Sequence, residues 1–417
     1  MADIAAPDRI ESIGPEFFAD PHACYRRWRE DGPVRRVLFP DGVIRWVVLG
    51  LAEARAALAD PTLHKDAVRT DELVTAKRDA PPSDPRALAL LSNMLNTDPP
   101  EHTRLRKLVS KAFTMRRMAA LRPRIEAITS DLLDAMADRE EVDLLRDFAV
   151  PLPITVICEL LGVPVSDRDA FQEWTKALVG VVGLEHERAR ATAAMAAFLT
   201  TLVATKRGHP GDDLLSALIT PADDGDTLTA PELVSMSFLL LVAGHETTVN
   251  LIANGTLALL TNPPRLAALR ADLAEVPAAV EEFLRYDGPV NMSTPRFTTV
   301  PTLIGETLIP PNELLYIALS AANRDPNRYP TPDTLDPDRD TAGHLAFGHG
   351  IHFCLGAPLA RLEADIAFTA VLQRFPDLRL APVADPAAWQ TSTLIRGLHT
   401  LPVLVHPPTD SAVSQQR

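Results

Sequence analysis

Through most of the chain, apolar positions recur at the helical period, and strand-like runs are confined to its two ends. Residues 34–39 and 43–49 are rich in Val, Ile and Leu and flank Pro40-Asp41-Gly42, which predicts a β-hairpin. Residues 52–59 read as a helix. Residues 70–97 mix prolines with short apolar pieces and read as a long loop with short helical segments. From residue 102 the spacing predicts helices over 102–117, 121–138, 151–162, 167–180, 187–207, 212–219, 230–260, 263–273 and 276–286. Short strands follow within 297–318, and a Pro-rich irregular stretch covers 321–346. A helix occupies 355–374, and 394–405 is strand-like. The expected fold class is mainly α with small β-sheets. A β-containing region is expected near 30–50 and a helical core over 102–286.

Residues 233–264 need a membrane test, because they carry one formal charge, Glu246, over a length that could span a bilayer. His245 and the acid sit in mid-run, and Thr247, Thr248, Asn250, Asn254 and Thr256 follow. A long helix buried through the middle of the protein is therefore expected rather than a span. The first residues carry Asp3, Asp8, Glu11 and Glu16 and no apolar run, so no signal peptide or anchor is expected. The net charge of −14 opposes general binding to nucleic acid or anionic membranes. Cys24, Cys158 and Cys354 are far apart, with no paired spacing. That excludes a disulfide framework and fits a reducing, cytoplasmic compartment.

The most informative stretch is Phe347-Gly348-His349-Gly350-Ile351-His352-Phe353-Cys354-Leu355-Gly356. Its glycines allow tight, positive-φ backbone before Cys354. A helix beginning near Leu355, with Pro358 in its first turn, sets the sulfur at a helix N-terminus, where unpaired N–H groups favour a thiolate. A lone thiolate suits one axial bond to a heme iron better than a zinc site. This stretch resembles the heme-binding signature of the cytochrome P-450 family, Phe-x-x-Gly-x-His/Arg-x-Cys-x-Gly, at every position, and Leu359-Ala360-Arg361-Leu362-Glu363 is typical of its soluble bacterial members. The resemblance implies a triangular, single-domain heme protein with a long central helix. It also implies a heme-thiolate loop at 347–356 that holds heme b (iron protoporphyrin IX) through Cys354, with Phe347, Gly348 and Gly356 around it and O2 as co-substrate.

Ala243-Gly244-His245-Glu246-Thr247-Thr248 lies within the long apolar run. Gly244 is expected to leave a gap in the helix wall. Thr247 can hydrogen-bond the carbonyl of Ala243, and an acid beside an alcohol in a dry helix can relay protons. By themselves these residues also describe a Thr-rich kink. They resemble the family's oxygen-activation motif, which implies that Glu246 and Thr247 are catalytic, supporting proton delivery for O–O cleavage.

Glu282-Phe283-Leu284-Arg285 sets opposite charges three apart on one helix. The resemblance makes it a buried structural ion pair, with Arg339 as third member. It also assigns His102, Arg106, Arg296 and His352 to the heme propionates. From His102 to Arg124 there are eight Lys/Arg and no acid. Arg104, Lys107 and Lys111 lie on the side of the helix opposite His102 and Arg106. That strip is a solvated charged face or, as bacterial members dock ferredoxins, the docking face for an acidic electron donor. No flavin or iron–sulfur segment is recognisable, so electrons are expected from a separate ferredoxin and an NAD(P)H-dependent ferredoxin reductase.

The resemblance implies substrate contacts from Leu88, Leu91, Met94 and Leu95, then Trp174, Leu178 and Val182, then Leu240, Ala243 and Gly244. Val290, Asn291 and Met292, and Thr393, Leu394 and Ile395, complete the set. This mostly aliphatic lining suits a bulky apolar small molecule, and the resemblance to actinobacterial members implies a macrolide or other polyketide, a terpenoid or a steroid. The expected activity is monooxygenation, hydroxylating an unactivated C–H bond. The alternatives are peroxygenation, epoxidation or oxidative coupling on the same fold, and a non-catalytic heme-binding protein.

Overall fold

Asp41 fixes the first hairpin. Its carboxylate accepts from Val43 N (3.2 Å) and grips Arg45 with both oxygens, while Gly42 takes φ +83° to close the turn. In this computed structural model, which describes residues 9–78, 81–179, 185–220, 225–382 and 388–407, the hairpin strands are β2 (Val34–Leu38) and β3 (Ile44–Val48). They join β1 (Ile10–Ser12), β4 (Leu63–His64), β6 (Arg296–Thr298) and β9 (Leu314–Ile317) in a six-stranded sheet of order β1-β2-β3-β9-β6-β4. A three-stranded sheet pairs β10 (Arg379–Leu380), β11 (Pro402–Leu404) and β5 (Glu141–Asp143) in that order. β7 (Thr302–Ile304) and β8 (Thr307–Ile309) make a separate ribbon.

The rest is mainly helical. The principal helices are α1 (Pro21–Arg29), α2 (Leu51–Ala59), α3 (Ala67–Arg78), α4 (Pro85–Leu91), α5 (Glu101–Ala112), α6 (Arg122–Met136), α7 (Pro151–Leu161), α8 (Arg168–Val179), α9 (Glu185–Gly208), α10 (Ala230–Leu260), α11 (Val276–Asp287) and α12 (Ala357–Arg374). Thr229 and Glu232 form a reciprocal capping box that starts α10. α10 then runs between α4, α7, α9, α11 and α12. Among the described residues it is the one helix long and apolar enough to cross a bilayer, and 61% of that stretch is buried inside the protein. The apolar run is therefore spent on the core. At Gly255 a Cβ would lie 2.5 Å from Phe368 and 2.9 Å from Phe283, so only glycine lets α10 cross α11 and α12 this closely.

Three expectations are corrected. Residues 67–78 form a three-turn helix, longer than the short helical segments expected within 70–97. Only Leu73 on it is buried, so it lacks the apolar stripe that periodicity detects. The helix expected over 102–117 stops at Ala112, because Thr114 caps a new one through Arg117 N (3.2 Å). Of 394–405 only Pro402–Leu404 is a regular strand, with isolated bridges Val290–Ile395 and Trp389–Leu398.

Candidate functional site

Cys354 ends a loop fixed by its own backbone. Cys354 N donates to Phe347 O (2.9 Å), and Gly348 and Gly350 take φ of +71° and +72°. Gly350 is required twice, since a Cβ there would also meet Leu58 O at 2.9 Å, at the end of α2. Gly356 then caps α12. The Cys354 residue is exposed, yet protein atoms crowd its sulfur. That enclosure pushes its pKa up, while the N–H groups of Gly356 and Ala357 and the cation of Arg106 pull it down. The helix terminus acts in the expected direction, but enclosure outweighs it.

Beside the loop the structure gathers side chains from distant segments. His102, on α5, meets His352 with ring centroids 4.3 Å apart. Arg106 donates to Phe353 O (2.7 Å). Arg296, on β6, is buried and donates to Leu63 O (3.3 Å) and Leu58 O (3.2 Å). His102 Nε2 and Arg296 Nε are buried without a partner. Burial, then Lys65, His102 and Arg296, pushes His352 down to about 2, and burial lowers Arg296 to about 10. Lys65, which the sequence analysis missed, is 3% exposed and bonds Thr294 Oγ1. So much positive charge with unspent donors calls for an anion. A sulfur for iron and a cationic cluster for two propionates together fit heme b.

Phe347 is held by a second layer. Arg361 sits 4.5 Å over its ring and bonds Glu281 at 2.6 and 2.8 Å. Burial pushes Glu281 up, but Arg361 and His344 hold it at about 2.

On α10, Thr247 Oγ1 donates to Ala243 O (2.9 Å), and Ala243 is exposed although the helix runs through the core. His245 is buried. Its Nδ1 lies 2.7 Å from Leu241 O, leaving Nε2 3.4 Å from Glu246 Oε1. Gly244 leaves no gap: its Cβ position is filled by Ile157 of α7, 2.9 Å away, so this glycine serves helix packing.

Glu282 and Arg285 are both 0% exposed and joined at 2.6 and 2.7 Å. Arg285 also donates to Asn323 O, Pro332 O and Thr334 O, and Arg339 Nε lies 3.6 Å from Glu282.

The substrate candidates divide. Leu88, Leu178, Val290 and Leu394 are half-buried and Leu91 is exposed. Val290 pairs with Ile395, and Leu394 O accepts from Asn291 N (2.8 Å), which brings the two late segments together. Met94 and Leu240 belong to the main helical core. Met292 is corrected: it is fully buried among Phe17, Tyr25 and Trp28 and has no surface left for a ligand. Val182 lies outside the described residues. Arg104 is corrected as well. Tied to Glu101, Asp226 and the capping Glu232, it braces α5 against the start of α10 instead of facing a partner. Arg122 and Arg124 likewise pair with Asp365 and Glu159, while Lys107 and Lys111 are exposed.

Residues 160–387 match the family model described as "Cytochrome P450". The chain is 53% identical to "Cytochrome P450 107B1" of Saccharopolyspora erythraea, over 95% of this chain and 98% of that one. It is 46% identical to the 6-deoxyerythronolide B hydroxylase of the same organism, over 93% and 96%. Among solved structures it is similar to the tirandamycin C-bound P450 monooxygenase TamI, with a TM-score of 0.89 and 48% identity, over 95% of this chain and all of that one.

Proposed function

Because the chain belongs to the cytochrome P450 family and is a heme-dependent monooxygenase, we propose that it hydroxylates an unactivated C–H bond of a bulky hydrophobic natural product, a macrolide or other polyketide. Electrons would come from NAD(P)H through a reductase and a ferredoxin, in the cytoplasm. The reaction consumes one O2, one NAD(P)H and one proton, and yields the alcohol, water and NAD(P)+.

One conjunction carries the reading. An exposed cysteine at the N-terminus of α12 stands beside a cluster of unspent cationic donors, and α10 exposes Ala243 next to the Thr247 hydroxyl. Bound heme supplies O2 binding and one-electron chemistry. The chain's residues do the rest. Cys354 would hold the iron through sulfur, Arg106 and Arg296 would offset the carboxylate charge, and His102 and His352 would offer it ring N–H donors. Thr247 can turn its hydroxyl from Ala243 O toward the space that Ala243 faces. Glu246, with His245 Nε2 3.4 Å from its carboxylate, stands one residue from that hydroxyl and is the acid placed to pass protons to it. The half-buried Leu88, Leu178, Val290 and Leu394 offer aliphatic surface to the substrate. The substrate class is supported by relatives that include a hydroxylase named for 6-deoxyerythronolide B and a monooxygenase solved with tirandamycin C bound.

Titrating macrolides, linear polyketides and steroids into the holoprotein tests the substrate class through the heme spin state. The best binder is then turned over with ferredoxin, reductase and NAD(P)H. A product heavier by one oxygen atom, formed only with the redox partners, supports the proposal. A steroid preference, or equal turnover with peroxide alone, refutes it.

A further inference from the structure

We propose that Lys65, with Thr294 beside it, is an additional donor to a heme propionate, completing the cationic cluster of His102, Arg106, Arg296 and His352. This rests on the reading that the chain binds heme. Lys65 directly follows β4, whose antiparallel register with β6 pairs Leu63 with Thr298 and His64 with Phe297. Carried one residue on, that register sets Lys65 opposite Arg296. Two cations facing each other across a pair of strands repel, and both are buried. An ammonium group has three N–H donors, and in this structure one goes to Thr294 Oγ1.

Among the described residues, Asp98 is the one acid that acts on Lys65, and both of its oxygens accept from the backbone N–H of Lys65 (3.2 and 3.0 Å) while Oδ2 also lies 3.3 Å from His64. Among the described residues, no carboxylate oxygen lies within salt-bridge distance of its Nζ. Burial and Arg296 push its pKa well below the usual lysine range. Lys65 is also the strongest charge acting on His352, which places it with the His102–His352 pair and not on a separate surface. His102 Nε2 and Arg296 Nε are buried without partners in the same cluster. A compact anion with several acceptor oxygens is the ligand such a set selects, and a carboxylate of the heme edge is that anion.

The test is heme transfer from the purified holoprotein to excess apomyoglobin, run with heme and with heme whose propionates are methyl esters. Lys65→Met is expected to lose heme about ten- to a hundredfold faster than wild type, and Lys65→Arg within about threefold of it. With the diester, wild type and Lys65→Met should lose the cofactor at equal rates. Lys65→Gln replaces Lys65→Met if the methionine variant does not fold. Equal loss of free-acid heme from wild type and the neutral variant overturns the proposal, as does an equal effect of the variant on heme and diester. The absorption spectrum of the reduced carbon-monoxide adduct separates the two levels. A thiolate-type spectrum in every protein leaves the heme reading standing whichever way Lys65 falls, and a wild type that takes up no heme sinks both.

Discussion

Thr247 already has a partner, the Ala243 carbonyl at 2.9 Å, so its hydroxyl is held in place without a ligand. Thr247→Ala removes the one alcohol beside Glu246 on the open face of α10, without unfolding anything. The expected outcome is unchanged heme content and NAD(P)H consumption, with product per NAD(P)H down about tenfold or more and the electrons recovered as hydrogen peroxide. Measuring product, cofactor and peroxide together checks it, and unchanged coupling would remove Thr247 from the mechanism. Cys354 shows how two local forces compete: the α12 terminus lowers the thiol, and enclosure raises it further. The motif made the sulfur legible at this scale. Lys65 was not legible, because a lone lysine after a short strand gives no sign that it is buried. Its burial comes from β6 and the segment before it, more than 200 residues away.

Two elements carry charge into the core. On α11, Glu282 and Arg285 form a pair with no solvent contact, and Arg285 ties three carbonyls of the Pro-rich segment to the helix. Glu282→Gln leaves that guanidinium buried without its counter-charge, at a cost of about 3–5 kcal/mol. Thermal denaturation should show a large loss of stability, and heme content should fall with it. α1, α11 and the C-terminal segment meet at His22, Asp287 and Arg396, with His22 Nε2 3.0 Å from Asp287. Burial and Arg324 push His22 down to about 4 from 6.5. The unfolded chain therefore takes up this proton first as pH falls. The contribution is complete above pH 6.5 and is lost between 6.5 and 4, a change of about 3 kcal/mol. Unfolding by urea across that range should show the slope, and His22→Asn should flatten it. Helix positions were legible where an apolar stripe existed. α3 escaped because it buries one leucine. The break after Ala112 escaped because one threonine cap interrupts an otherwise continuous pattern.

The whole molecule carries −14, yet α5 presents Lys107 and Lys111 to solvent on the helix that also brings Arg106 to Phe353 O. Reversing both charges, Lys107→Glu with Lys111→Glu, should slow reduction by ferredoxin steeply at low salt and leave reduction by dithionite unchanged. Stopped-flow measurements at two ionic strengths decide it. Arg104 belongs to a different task, since its acids hold α5 against the start of α10. By itself the sequence determined what a few consecutive residues settle through their own sterics and hydrogen bonds: the Asp41-Gly42 turn, the capped start of α10, the glycine-framed loop ending in Cys354, and the helical character of most of the chain. Only the tertiary structure decided which surface each residue spends where. Ile157 fills the space beside Gly244, Met292 belongs to an aromatic core, and Lys65 lies buried beside Arg296. Those outcomes are sums over neighbours brought together from across the chain, and no local pattern carries that sum.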